Sequence, residues 1–191
     1  MRVATYTDRS APPARGSVFA QGVLLLSILL GVGVGPTIAE FAGGVLVQLI
    51  TPLWLLLYLA SFLGLMMHHG INWISWLVRY RILLVLLLIG AIASVAWSID
   101  AQLSAERAVH LTGSTIIAIY IGFSIPLLLT LRIFAIVLGV TMVATVAAAI
   151  GLPSLGVVQY EGTQVWKGVY NSKNDLGFWA GVGVLLYITL S

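Results

Sequence analysis

Residues 152–177 read LPSLGVVQYEGTQVWKGVYNSKNDLG, and this polar interval lies between two long apolar stretches. It carries Glu161, Lys167, Lys173 and Asp175, which are four of the 15 charged side chains in the chain (nine basic and six acidic). Charged groups are costly in the hydrocarbon core of a bilayer. The interval is therefore predicted to lie at a membrane surface or in a polar cavity, and its apolar neighbours are predicted to cross the membrane.

The composition of the whole chain supports this interpretation. Of its 191 residues 60% are hydrophobic and 8% are charged, and the mean hydropathy is +1.08. A soluble domain carries roughly 25% charged residues, so the chain is predicted to be an all-α, polytopic bundle of transmembrane helices. The absence of cysteine excludes disulfides and thiolate sites. A net charge of +3, spread along the chain, does not indicate nucleic-acid binding.

About six membrane crossings are expected, since each needs about 20 apolar residues. Residues 1–16 are interpreted as a cytoplasmic tail and residues 17–191 as one transmembrane region. The crossings are predicted at 18–35, 41–67, 82–97, a fourth that follows 98–107 and runs to about 131, then 133–152 and 176–190. Pro126 is expected to bend or break the end of the fourth, and Arg132 to close the loop after it. The first segment could instead be a signal peptide cleaved near residues 37–39, but its length favours an uncleaved helix.

Two of the intervening segments carry specific expectations. Residues 68–81 are predicted to form a loop at the membrane interface, because they contain Trp73, Trp76, Arg79 and Arg81. His68 and His69 are interpreted as interfacial rather than metal-binding, because no further ligands accompany them. In the segment 98–107 the residues that could cap the next helix are Ser98, Asp100 and Ser104.

The distribution of basic residues predicts the orientation. With a cytoplasmic N-terminus, alternating crossings place six basic residues inside, namely Arg2, Arg9, Arg15, Arg79, Arg81 and Arg132. Three basic residues then lie outside, namely Arg107, Lys167 and Lys173. Excess Lys and Arg mark the cytoplasmic side. The segments 98–107 and 153–175 are therefore expected to share the outer face.

The outer-face residues suggest a binding site. Cations at the edge of a low-dielectric membrane suit a phosphate or diphosphate, and asparagine amides suit sugar hydroxyls. An aromatic ring such as Tyr170 could stack on a sugar. The candidate substrate-binding residues are Arg107, Trp166, Lys167, Asn171, Lys173 and Asn174. The alternative is that the lysines flank a helix end and the aromatic residues are interfacial anchors. No metal site, catalytic triad or phosphate loop is recognisable, so no cofactor is predicted.

Two groups of residues resemble a known family. The blocks LPSLG (152–156), WKGVY (166–170) and KNDLG (173–177) resemble the motif of the O-antigen ligase and polymerase superfamily. AWSID (96–100), followed by Leu103, Ser104 and Arg107, resembles a second signature of that family. Within the superfamily the chain is most similar to exopolysaccharide-production polymerases. Relatives often have His where this chain has Ser172, and the resemblance covers most of residues 82–190.

The resemblance implies a bacterial inner-membrane glycosyltransferase that acts at the periplasmic face on glycans carried by undecaprenyl diphosphate. Such enzymes polymerise repeat units or ligate a glycan to an acceptor lipid, and they are about twice as long as this chain. The chain is therefore expected to be an N-terminal half that is inactive alone. The catalytic residues are left open, the candidate bases being Glu40, Asp100, Glu106, His110, Glu161 and Asp175. A non-catalytic subunit of a polysaccharide assembly complex and a small transporter are the alternatives.

Overall fold

The computed structural model describes residues 16–32, 45–160, 162–170 and 172–190. Most of these residues are helical, which confirms the all-α prediction. The helices are α1 (Gly16–Gly31), α2 (Val45–His69), α3 (Asn72–Tyr80), α4 (Ile82–Ala93), α5 (Ala101–Ser124), α6 (Leu127–Gly151), α7 (Pro153–Gly156) and α8 (Lys173–Leu190). A 3-10 turn, Ser94–Trp97, continues α4, and the strands β1 (Val157–Tyr160) and β2 (Thr163–Trp166) form one antiparallel pair.

The apolar helices identify a membrane protein, with fewer clear crossings than the six expected. Two helical stretches are long and apolar enough to cross a bilayer, Gln48–His69 within α2 and Leu127–Gly151. A third crossing is counted if α3 and the helical stretch 82–97, which meet at 98°, are taken together. α1 is apolar but shorter, over Val18–Gly31. α5 and α8 are not among these crossings, because both contain polar residues. In α5 these include His110, Thr112, Ser114 and Thr115, and α8 begins with Lys-Asn-Asp.

The helix boundaries around Pro126 differ from the expectation. The prediction that the fourth crossing continues to about residue 131 is wrong, because α5 ends at Ser124 and Ile125 is extended at φ −129° and ψ 136°. A residue that precedes proline is sterically pushed out of the helical region. A new helix, α6, begins directly at Leu127, so Arg132 lies within its first turns and not in a loop.

Residues 72–80 form a helix, so the prediction of a loop over 68–81 is wrong. Trp73 and Leu77 are four residues apart and both are buried, whereas Ser75 and Arg79 are exposed. This helical spacing of apolar side chains stabilises α3 by packing one face against the bundle. The bend of 98° between α3 and α4 falls at Arg81. The orientation suits a helix that lies in the membrane interface while α4 enters the bilayer.

α2 and α5 form the most extensive helix pair, and they run parallel. Tyr58 of α2 packs on Gly113 of α5, and further along both helices Tyr120 of α5 packs on Gly64 of α2. Each helix thus provides a glycine that receives the other helix's tyrosine, an arrangement that lets helix backbones approach closely. Tyr120 is fully buried at the centre of the core.

α1 runs antiparallel to α2 and connects two parts of the bundle. Gly31, at the end of α1, faces Trp54 near the start of α2. Phe19, at the start of α1, lies with its ring centroid 6.2 Å from that of Tyr120 on α5. α1 also packs against α6, whose other main partner is α8. α1 therefore connects the group formed by α2, α4 and α5 to the group formed by α6 and α8.

Candidate functional site

The polar interval after α6 folds into a hairpin. Pro153 begins the single turn α7, and β1 and β2 follow with Val157 opposite Trp166 and Tyr160 opposite Thr163. Gly162, in the two-residue connection, has φ +79°. This hairpin is not among the elements predicted from the sequence. Its signal is the pair of β-prone segments VVQY and TQVW around Glu-Gly, since a glycine in a two-residue turn is typical of tight hairpins.

The carbonyl group of Gly156 joins the first two blocks of the motif. It accepts hydrogen bonds from the backbone N–H groups of Lys167 and Gly168, both at 2.9 Å. Gly156 itself lies against the backbone of Ala149 in the last turns of α6, where there is no room for a larger residue. The LPSLG and WKGVY blocks are therefore one structural unit attached to the end of α6.

Residues 168–170 pack along α6 in the direction from its C-terminal end towards its middle. Gly168 has φ +63° and lies directly against the side chain of Thr145. The N–H of Tyr170 donates to the carbonyl of Lys167 at 3.2 Å, which closes a tight turn. The side chain of Tyr170 is fully buried, and its hydroxyl lies 3.1 Å from Thr141 Oγ1. Because Thr141 already donates to the carbonyl of Leu138, the tyrosine hydroxyl donates to Thr141.

Burial also shifts the pKa of this tyrosine. It raises the pKa of the Tyr170 phenol above its usual range, and the hydrogen bond with Thr141 opposes the shift only in part. A phenol is neutral at physiological pH even at its ordinary pKa, and the shift favours the neutral form further. Its role in the motif is to hold the chain against α6 and not to supply charge.

The third block begins α8 through a reciprocal cap. Ser172 Oγ donates to Asp175 Oδ2 at 2.9 Å and accepts from the N–H of Asp175 at 3.2 Å. The carbonyl of Ser172 also accepts from Leu176 at 3.1 Å. The bond from the N–H of Asp175 satisfies a donor that the first turn of a helix otherwise leaves unpaired. Ser172 therefore has a structural role as the cap of α8.

The segment AWSID (96–100) ends with the residue that caps α5. The carboxylate of Asp100 accepts from the N–H of Leu103 at 2.9 Å, so Asp100 is the cap among the three residues considered. Ser98 and Ser104 instead bind each other through their hydroxyls at 2.6 Å. Arg107 follows on an exposed part of α5.

The structure places five of the six candidate binding residues, and they lie in two parts of the fold. Trp166 is exposed at the end of β2, and Lys167 follows it directly. Lys173 and Asn174 form the first turn of α8, while Arg107 lies on α5 in the other helix group. Asn171 lies outside the described residues. The hairpin and the start of α8 are thus brought together beside α6, and α1 lies between α6 and the helix that carries Arg107.

His110 has a partner that the sequence analysis did not identify. Its Nδ1 lies 2.9 Å from the hydroxyl of Tyr58 on α2, and the two rings meet edge to face. Glu106 and Ser114 lie one turn before and after it, and all three are exposed along α5. An ionisable side chain with a defined partner on a neighbouring helix of an apolar bundle is a functional candidate. The signal in the sequence is the spacing of four residues between Glu106, His110 and Ser114.

The other candidate bases differ in their surroundings. Asp100 and Asp175 are both engaged in helix caps. Glu40 and Glu161 lie outside the described residues. Within the described ranges, no three His, Asp or Glu side chains are close enough together to hold a metal ion.

No protein-family model, no curated protein and no solved structure matches the chain.

Proposed function

We propose that this chain belongs to a bacterial inner-membrane glycosyltransferase of the O-antigen ligase and polymerase type. Its substrate would be a glycan carried by undecaprenyl diphosphate, which it polymerises or ligates at the periplasmic face. The observation that supports the proposal best is the attachment of the three motif blocks to α6. The carbonyl of Gly156 joins the first two blocks, and the side chains of Thr145 and Thr141 hold the second block against α6. The third block begins α8, which packs on α6.

This unit suits a diphosphate attached to a lipid. It presents Lys167 and Lys173 beside an apolar helix, so that a ligand with a hydrocarbon tail can lie against α6 while its diphosphate meets ammonium groups. Charge-assisted hydrogen bonds are strengthened where water is excluded. Trp166 is exposed and offers a ring face for a sugar, and Asn174 offers an amide for its hydroxyls. Asn171 and Arg107 complete the proposed set of binding residues.

The proposal includes six crossings with a cytoplasmic N-terminus. The parallel arrangement of α2 and α5 supports it, because two parallel membrane helices need an odd number of crossings between them. α4 with its 3-10 extension to Trp97 can supply one such crossing. The segments 98–107 and 153–175 would then both lie on the periplasmic side, as would the proposed binding residues.

A non-catalytic subunit of a polysaccharide assembly complex is the second candidate function. It is favoured by the state of two potential bases, since the carboxylate of Asp100 caps α5 and that of Asp175 accepts a hydrogen bond from the cap residue Ser172. Sugar transfer needs a base that accepts a proton from the acceptor hydroxyl. In this alternative the chain would bind the lipid-linked glycan without carrying out the transfer.

Replacement of Lys173 tests the proposed function. In cells whose surface polysaccharide depends on the protein, Lys173→Ala is expected to abolish polymer or ligated glycan while membrane insertion stays normal. Lys173→Arg retains part of the activity if charge alone is needed, and loses it if a compact ammonium group is required. Gln164→Ala, an exposed change on β2, is the matched control. A normal distribution of glycan lengths with Lys173→Ala would contradict the proposal.

A further inference from the structure

A cleft of about 530 Å³ lies between α3, α4 and the second half of α5. Trp76 and Leu77 of α3 form one wall, Leu84 of α4 forms another, and α5 contributes residues from Ser114 to Phe123. Its volume is within the range of about 300–1,000 Å³ that is typical of small-molecule sites. The cleft is separate from the hairpin, which packs on α6.

The interior of the cleft is apolar. The hydroxyl of Ser114 donates to the carbonyl of His110 at 2.6 Å, and the hydroxyl of Thr115 donates to the carbonyl of Leu111 at 2.7 Å. Both hydroxyl protons are therefore used within α5. The remaining lining of α5 is Ala118, Ile119, Gly122 and Phe123. Such a surface suits a hydrocarbon chain better than a polar group.

A single charged residue, Arg81, is among those that line the cleft. The backbone holds it at the bend, because its N–H donates to the carbonyl of Leu77 at 2.8 Å and its carbonyl accepts from Leu84 at 2.9 Å. The guanidinium carbon lies 5.7 Å from the centroid of the Trp76 ring. Arg79, two residues earlier, is placed in the same way over Tyr80 at 5.5 Å. Stacking on an aromatic face leaves the edge of a guanidinium group available to bind an oxyanion.

We propose that this cleft binds an anionic glycerophospholipid. The phosphate lies at Arg81, and one acyl chain lies in the cleft along α5 between Leu84 and Phe123. The charge of Arg81 complements an anionic headgroup, and the apolar interior complements the chain. The amphipathic helix α3, perpendicular to α4, places the bend at the depth of lipid headgroups. Basic pockets between membrane helices are suited to anionic lipids for the same reasons.

The proposal is tested by measuring lipid binding to the purified chain in detergent by native mass spectrometry. Phosphatidylglycerol and phosphatidylcholine with identical acyl chains are titrated separately, and the chain is expected to bind phosphatidylglycerol more tightly. Arg81→Ala is expected to weaken phosphatidylglycerol binding about fivefold, which corresponds to the effect of one basic residue near an anionic lipid surface. Binding of phosphatidylcholine is expected to stay the same, and Arg81→Lys is expected to keep most of the preference.

Arg132→Ala is the matched control, because it removes an exposed arginine near the start of α6 that does not line the cleft. It is expected to bind both lipids as the unaltered chain does. Gly122→Leu tests the apolar part, since an added Cβ at Gly122 meets no atom within 4 Å and the side chain can occupy the cleft. This variant is expected to weaken the binding of both lipids while Arg81 remains in place.

Three results would overturn the proposal. One is equal affinity for the two lipids, and another is an Arg81→Ala variant that binds phosphatidylglycerol as tightly as the unaltered chain. The third is competition by soluble glycerol phosphate at the concentrations used for the lipid, which would show a site for the headgroup phosphate alone. Melting curves of each variant confirm that folding is unchanged. Should Arg81→Ala unfold, Arg81→Lys and Gly122→Leu still test the headgroup and chain contacts separately.

Discussion

The hydroxyl of Tyr170 lies 3.1 Å from Thr141 Oγ1, at the fifteenth of the 25 residues of α6. A segment that follows a hairpin at the end of a membrane helix therefore reaches back to the middle of that helix. The contact is long-range in sequence and fully buried. It holds Tyr170 against α6 three residues before Lys173, where α8 begins.

Two substitutions of Tyr170 distinguish the contribution of its ring to stability from that of its hydroxyl. Tyr170→Phe removes one hydrogen bond and is expected to lower the free energy of unfolding by roughly 1 kcal/mol. Tyr170→Ala also leaves a cavity and is expected to cost roughly 3 kcal/mol. Thermal unfolding in detergent measures both, and Trp166→Ala, at an exposed ring, serves as the control. Equal effects of the alanine changes at 166 and 170 would show that Tyr170 does not anchor the motif.

Three glycines form a graded series of Gly→Ala changes. Gly177, in α8, has no strained φ and no close neighbour, so alanine is expected to stabilise the helix by up to about 1 kcal/mol. Gly162 has φ +79° but open space, so alanine there costs roughly 1 kcal/mol. Gly168 combines φ +63° with contact to Thr145, and the overpacking adds roughly 1–3 kcal/mol. The melting temperature is expected to be highest for Gly177→Ala, lower for Gly162→Ala and lowest for Gly168→Ala. Any other order would contradict the described packing.

The cap at the start of α8 can be tested without changing Lys173. Ser172→Ala removes both hydrogen bonds to Asp175 and is expected to cost about 1 kcal/mol, whereas Ser172→Asn, which can still accept from the helix, costs less. Hydrogen exchange of the first turn of α8 measures the effect locally. Thr189→Ala removes an exposed hydroxyl at the other end of α8 and is the control. Unchanged exchange in Ser172→Ala would mean that the cap does not hold the start of the helix.

Single cysteines report the orientation, because the chain has no native cysteine. Gln164→Cys and Gln102→Cys are expected to react with a membrane-impermeant maleimide from the periplasm, and Ser75→Cys is expected to react only after the membrane is opened. All three positions are exposed, so a difference in labelling reports the side of the membrane and not burial. Labelling of Ser75→Cys in intact cells would reverse the proposed topology.

Much of the fold could be predicted from the composition and from residues that break helices. The low content of charged residues predicts the helical membrane protein, and Pro126 marks a break between two helices. The short apolar periodicity of Trp73 and Leu77 is harder to recognise, because tryptophan and arginine together also suit an interfacial loop. Trp73 and Leu77 stabilise α3 because they are buried against the rest of the bundle. Contacts with the bundle cannot be read from the nine residues of the helix alone.

The candidate site depends on contacts that no local pattern contains. That Gly168 and Tyr170 lie on Thr145 and Thr141 follows from how the hairpin folds back on α6, and threonines in an apolar helix give little sign of it. The partnership of Tyr58 with His110 likewise joins residues 52 positions apart. The capping roles of Asp100 and Ser172, by contrast, are local and lie within reach of sequence reasoning.

The bend at Arg81 has a consequence for the membrane itself. Beyond it the chain continues through 12 residues of α-helix and four of 3-10 helix, Ile82–Trp97. With rises of about 1.5 and 2.0 Å per residue these cover about 26 Å, a few ångströms less than the hydrocarbon core of about 30 Å. In the proposed topology this stretch is one crossing, and α3, which turns away at 98°, does not lengthen it. Such hydrophobic mismatch is relieved by local thinning of the bilayer. The protein is therefore expected to favour short-chain lipids and to deform the bilayer around α4.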